Sequence, residues 1–182
     1  QDTKRGCVAG KGEVIMYTID EARAELRKNW ETGLNCPCCG QRVQLYKVVL
    51  TSAQTTGLVN LYRMDKKQPN QYFKISDIEA YKEGFSGGSF AKCKHWGLAV
   101  DQVNTDTHKR TSGMWAITDL GRRFVEGKVT VPKYVQLYNK KKYGDPTHEA
   151  VHIQDTFKSR FDYHKLMGND LYNNDPEQER LV

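Results

Sequence analysis

Between Thr51 and Thr118 the spacing of apolar residues changes period, and that change restricts the fold more than any other feature of the chain. Ala53, Gly57, Leu58, Leu61, Tyr62 and Met64 share one face of a helix, which the charged, proline-containing DKKQPNQ (65–71) ends. ISDIEAYKEG (75–84) reads as a short second helix, and FSGG (85–88) as a turn whose glycines can take positive φ. SFAKCKHWG (89–97) reads as a third, with Ser89 as N-cap and Gly97 as stop. Alternation then takes over. LAVDQV (98–103) and MWAIT (114–118) are expected as strands on either side of the polar, basic loop NTDTHKRTSG (104–113).

The flanks are equally patterned. Thr18 is the expected N-cap of IDEARAELRKNWETG, in which Asp20 and Glu21 fill the first turn, Ile19, Ala22, Leu26 and Trp30 recur at helical spacing, and Gly33 stops the helix. NCPCCGQ (35–41) follows, then QRVQLYKVVL (41–50) as one strand. After the hairpin, Thr118 caps a short helix whose Leu120, Phe124 and Val125 are expected to anchor it on the core. VTVPKYVQLYN (129–139) alternates as a strand, KKKYGDP (140–146) is a basic turn, and HEAVHIQDTF (148–157) reads as a partner strand running into a helix through FDYHKLM. Trp30, Trp96 and Trp115 each lie among apolar neighbours and read as core anchors.

With 182 residues, 38% of them hydrophobic, the chain suits one ordinary domain with a small lobe. No apolar run approaches the roughly 20 residues of a membrane helix, so no membrane role is expected. The start QDTKRGCVAGKGEVIMYT has no apolar core or small-residue cleavage site, so no secretory signal is expected, and Met16 is a candidate start. Five cysteines, three of them crowded together, do not make a disulfide framework, which points to a reducing cytoplasm. A formal charge of +6 suits an anionic partner, nucleic acid being the commonest, though charge alone shows attraction and not identity.

Three helices with a Gly-rich turn before the last describe a helix-turn-helix core. The full order, helix, helix, helix, strand, basic loop, strand, closed by TDLGRRFVEG (118–127), resembles the winged-helix domain of the multiple-antibiotic-resistance repressor kind over Thr51 to Gly127. CPCCG, GGSFAKCKHWGL, GMWAITDLGRRFV and VPKYV together also resemble uncharacterised proteins encoded by phages and prophages. The expected fold class is therefore α+β: a winged helix-turn-helix core with an N-terminal helix and cysteine knuckle and a C-terminal β-hairpin/helix extension. The expected parts are a flexible N-terminal extension (1–17), a helix and knuckle lobe (18–50), the winged-helix domain (51–127), the hairpin-helix extension (128–167) and a flexible tail (168–182).

The resemblance implies a cytoplasmic protein that binds double-stranded DNA as a phage-type regulator of transcription or accessory factor, with two copies pairing as a homodimer. Ser89, Lys92, Lys94 and His95 would face the major groove, while His108, Lys109 and Arg110 at the wing tip would meet phosphates. Arg122 and Arg123, and the run Lys140 to Lys142, would extend that stripe if they share its side and are otherwise solvated charge. The rival reading is a protein-interaction module that binds or inhibits a host protein, such as a polymerase or defence component.

Two motifs suggest metal. Cys36 and Cys39 have the C-x-x-C spacing of a zinc knuckle, with Pro37 bending the entry, Gly40 the exit and Cys38 as a third candidate ligand. Structural Zn2+, three thiols that only shape a turn, and redox work all remain open for this stretch, because no second ligand pair is visible. Cys93 and His95 lie on opposed sides of their helix, and Cys7 is the other spare thiol. HEAVH (148–152) matches the letters H-E-x-x-H of a zinc hydrolase, but preceding Pro146 and β-branched Val151 and Ile153 disfavour the helix that chemistry needs. No enzyme is expected.

Overall fold

The structure, a computed structural model, describes residues 5–8, 14–80, 87–109, 111–144 and 149–157. They form a mixed α+β chain with small antiparallel sheets. Two compact units are present, residues 1–48 with 136–144 and residues 49–135 with 145–182. The stretch 128–167, expected as one extension, is thus divided between them.

The first unit opens on an antiparallel hairpin, β1 (Arg5–Val8) with β2 (Val14–Tyr17), where a flexible extension was expected. Helix α1 (Ile19–Asn29) starts as its sequence dictates. The Thr18 hydroxyl accepts from the Glu21 N–H at 3.2 Å, and the Glu21 carboxylate accepts from the Thr18 N–H at 2.7 Å. These reciprocal bonds satisfy donors that a helix start leaves orphaned. Strands β3 (Leu34–Asn35) and β4 (Arg42–Val43) pair, holding residues 36–41 as a turn between them. The single strand expected over 41–50 is broken: β5 begins only at Tyr46 (Tyr46–Val49), because buried Leu45 sends its N–H to the Trp30 carbonyl at 2.8 Å.

Helix α2 (Ser52–Lys67) is the axis of the second unit. Leu58, Val59 and Leu61 have 0% exposure, and burial extends around the helix to Gln54, Thr55, Thr56, Asn60, Arg63 and Asp65. The one-face reading undercounts it, because neighbours pack on several sides. Next come β6 (Phe73–Lys74), α3 (Ile75–Ala80) and α4 (Gly87–Phe90), which continues as a 3-10 turn over Ala91–Trp96. Gly97, at φ 72°, ends that segment in the left-handed conformation a glycine adopts without strain. Strands β7 (Ala99–Asp101) and β8 (Met114–Ile117) form the expected hairpin, with Ala99 opposite Ile117 and Asp101 opposite Trp115. β6 pairs with the other edge of β8, giving the order β6-β8-β7. Two residues are too few for alternation to reveal, so β6 was invisible in the sequence.

Helix α5 (Asp119–Val125) is capped by Thr118, whose hydroxyl accepts from the Gly121 N–H at 3.0 Å and donates to the Gly97 carbonyl at 2.6 Å. A side chain at Gly121 would land on the Leu98 carbonyl oxygen, so glycine permits α5 to approach the end of the 3-10 turn. Phe124 and Val125 are fully buried; Leu120, expected beside them, is 38% exposed. β9 (Val131–Pro132) closes this unit, with its partner β12 (Ala150–Val151) and a 3-10 turn over Gln154–Thr156. The Trp96 indole N–H donates to the Pro132 carbonyl at 2.7 Å. The expected helix through FDYHKLM lies outside the described residues.

β10 (Tyr134–Tyr138) is hydrogen-bonded to β5 on one edge and to β11 (Lys141–Lys142) on the other. No helix among the described residues is long and apolar enough to cross a membrane.

Candidate nucleic-acid interface

The segment expected as the third helix has a tighter pitch than an α-helix, and this sorts its side chains. Residues three apart align in a 3-10 turn. Phe90, Cys93 and Trp96 accordingly form a buried line, at 0%, 0% and 6% exposure, with Phe90 edge-on to Trp115 at 5.3 Å. Ser89, Lys92 and His95 form the next line, with Lys92 exposed and the other two half-buried. Ser89 is not a cap, since α4 already runs at Gly87. Lys94 falls on a third line, where its ammonium sits 3.4 Å from the Asp101 carboxylate of β7.

Two titrating groups here have shifted. Burial, reinforced by the charges of Lys94 and Lys92, pushes the His95 imidazole below its ordinary value, so it favours the neutral form and supplies a ring rather than a cation. Burial pushes the Cys93 thiol up to about 12, and it donates to the Gln54 carbonyl at 3.7 Å. Cys93 is therefore protonated and packed in the core.

The loop between β7 and β8 is ordered by its own polar side chains. Asp106 accepts from the His108 N–H at 2.9 Å, and the Asn104 amide donates to the carbonyls of Asp106 and Lys109. Lys109 is exposed but lies 3.1 Å from the Asp106 carboxylate. His108 is also exposed, and Arg110 lies outside the described residues.

Arg122 and Arg123 part company. Arg122 gives its Nε and Nη2 to Asp65 at 2.8 and 3.0 Å, its Nη1 to Asp119 at 2.7 Å, and Nη2 also to Asn70 at 3.1 Å. Burial pushes the Asp65 carboxyl up, yet the hydrogen bonds from Arg122 and the Asn70 N–H, with the nearby positive charges, hold it below the usual carboxylate range. Arg122 therefore ties α5 to α2 and is not available to phosphate, a correction to its placement in the stripe. Arg123, one residue on, is exposed.

In the first unit, NCPCCGQ is the tip of the β3–β4 hairpin. Cys36 and Gln41 are joined by an N–H bond to carbonyl at 2.7 Å, the Gly40 N–H donates to the Cys36 carbonyl at 2.8 Å, and Gly40 takes φ 71°. Burial raises the Cys36 thiol, but N–H bonds from Cys38 and Cys39 and their thiols outweigh it and lower the net value. Cys38 and Cys39 are exposed. Among the described residues no group of three or more metal-ligating side chains comes together.

The HEAVH stretch departs from a metal-binding helix. Ala150–Val151 is strand, and the Glu149 carboxylate lies 2.6 Å from the Lys133 ammonium. His148 lies outside the described residues.

No family model, curated protein or solved structure matches the chain.

What sequence reasoning missed are the carboxylates. Asp65, Asp101, Asp106 and Asp119 decide which cations remain available, and only Asp106 and Asp119, each three residues from its partner, could have been paired from spacing.

Proposed function

We propose that the second unit is a winged-helix module that binds double-stranded DNA. The single observation that supports it most is the sheet order β6-β8-β7, with β6 inserted between α2 and α3 and the β7–β8 hairpin leaving directly from the third helical segment. In this reading Ser89, Lys92 and His95 enter the major groove as one line, the loop with His108 and Lys109 lies on the backbone, and Arg123 adds a phosphate contact. A phage-encoded regulator or accessory factor, acting as a homodimer, fits that role. Fluorescence anisotropy with a random-sequence duplex at low salt tests it. Binding should weaken steeply with salt, and Lys92→Ala with Lys109→Ala should reduce the log–log salt slope by up to about 2. No binding at low salt would end the reading.

One observation favours a protein partner instead. Lys94 and Lys109 each stand beside a carboxylate, and a mixed-charge surface suits a polypeptide as well as a polyanion. Capture of a host protein that persists after nuclease treatment, with no duplex binding, selects this alternative.

For the first unit we propose that Cys36 and Cys39, with Cys38 beside them, supply thiolates to a structural zinc ion. The tight hairpin tip and the N–H groups directed at Cys36 suit a thiolate, and the remaining ligands must come from outside the described residues or from a second copy. Elemental analysis of purified protein should find zinc, and Cys36→Ser should abolish it.

A further inference from the structure

The first unit carries a second cationic surface that the duplex reading does not use. Leu137 pairs with Lys142 and Tyr138 with Lys141, leaving Asn139 and Lys140 as a two-residue turn at φ 47° and 63°. Both central residues in the left-handed region is the turn geometry that matches the natural twist of two strands, so this hairpin is tight and well defined. Lys140, Lys141 and Lys142 are all exposed. Among the described residues, no carboxylate lies within ion-pairing distance of any of the three.

Aromatic rings stand at the base of the same hairpin. Tyr138 and Tyr143 are 38% and 43% exposed. Each packs on Trp30, at centroid distances of 5.9 and 4.6 Å and interplanar angles of 52° and 74°. Trp30 itself is half-buried, so it is not the core anchor its helical spacing predicts. Contact on Trp30 holds two tyrosine rings in place while part of each stays open to solvent, which lowers the entropy lost when a partner stacks on them.

We propose that this hairpin and Trp30 form a binding surface for single-stranded nucleic acid. Lysines with no ion pair among the described residues attract phosphates, and the adjoining rings offer stacking platforms. A duplex keeps its bases stacked inside and would use only the lysines; unpaired bases use both. An acidic peptide would meet the charge and leave the rings unused. The surface belongs to a different unit from the proposed duplex-binding elements, so either assignment can fail without the other.

Titrating the full chain with oligo-dT at low salt, read by tryptophan fluorescence, tests this. Trp96 and Trp115 are each only 6% exposed and give a constant background, so a saturable change reports Trp30. Replacing Lys140, Lys141 and Lys142 together by Ala should weaken binding at least tenfold and lower the log–log salt slope by about 2. Tyr143→Ser should weaken it about tenfold, and Tyr143→Phe should restore it. The triple lysine variant changes only exposed side chains, so it keeps the test valid if Tyr143→Ser does not fold. Lys109→Ala should leave oligo-dT affinity unchanged. Wild-type affinity in the triple variant, or equal competition by blunt duplex, overturns the proposal; so does a loss of oligo-dT binding on Lys109→Ala.

Discussion

At the loop between β7 and β8, Lys109 lies 3.1 Å from Asp106, and at its base Lys94 lies 3.4 Å from Asp101; at the turn between β10 and β11, three consecutive lysines have no such partner among the described residues. Both hairpins read as basic in the sequence. Their fields differ, because a carboxylate a few ångströms from an ammonium cancels most of its potential beyond a Debye length of about 8 Å. The pair of arginines in α5 repeats the lesson one residue apart: Arg122 is spent on Asp65 and Asp119, and Arg123 is exposed. A count of cations therefore overstates the surface available to a polyanion in the second unit.

The strongest way to break the comparison is Arg122→Ala. It strands the Asp65 carboxylate, whose side chain is 6% exposed, and should cost about 3 kcal/mol in urea unfolding, at the lower end for broken buried pairs since Arg122 is a quarter exposed. Arg123→Ala should change stability by no more than about 0.5 kcal/mol. If Arg122→Ala left stability intact and abolished duplex binding, Arg122 would have to be counted with the available cations.

The same pair predicts an acid limb. The Asp65 carboxyl is held below its ordinary value in the folded chain, so its contribution is complete above the unfolded carboxylate value and is lost as pH falls through the folded one. Urea midpoints measured downward from pH 5 should fall in the wild type and fall less in Arg122→Ala. Parallel curves would mean that other carboxylates carry the acid sensitivity.

A smaller effect sharpens the contrast between hairpins. Asp106→Asn removes the charge beside Lys109 while its side-chain oxygen can still accept from the His108 N–H. Duplex affinity at low salt should rise about threefold, the scale of one exposed ion pair. A fall in affinity would show that loop order matters more than charge. The least change is expected for Lys94→Ala: both side chains of its ion pair are more than a third exposed, so stability should shift by about 0.5 kcal/mol or less.

The fold was legible wherever a signal is local. The Thr18 box, the Thr118 cap, the stop at Gly97 and the alternation in 98–103 and 114–118 each depend on residues within a few positions; the caps, the stop and the hairpin form as expected, with the first strand shortened to Ala99–Asp101. Reading failed where neighbours from elsewhere decide. The strand after the knuckle breaks because Leu45 turns to Trp30, and α2 is buried on several sides because other elements pack around it. The candidate site was legible in its residue types and not in its pairing. Lys92 and His95 align because Ala91–Trp96 winds with three residues per turn, a geometry their spacing could not announce.

The sequence alone determined the capped starts of α1 and α5, the stop at Gly97 and the β7–β8 hairpin, because those choices are settled by backbone bonds and side chains close along the chain. Tertiary structure decided which charges remain free. Arg122 finds Asp65 from 57 positions away, and Trp30 meets Tyr138 and Tyr143 across a still longer stretch of chain. Electrostatic and ring contacts act over a few ångströms of space, and only folding turns distance along the chain into that proximity.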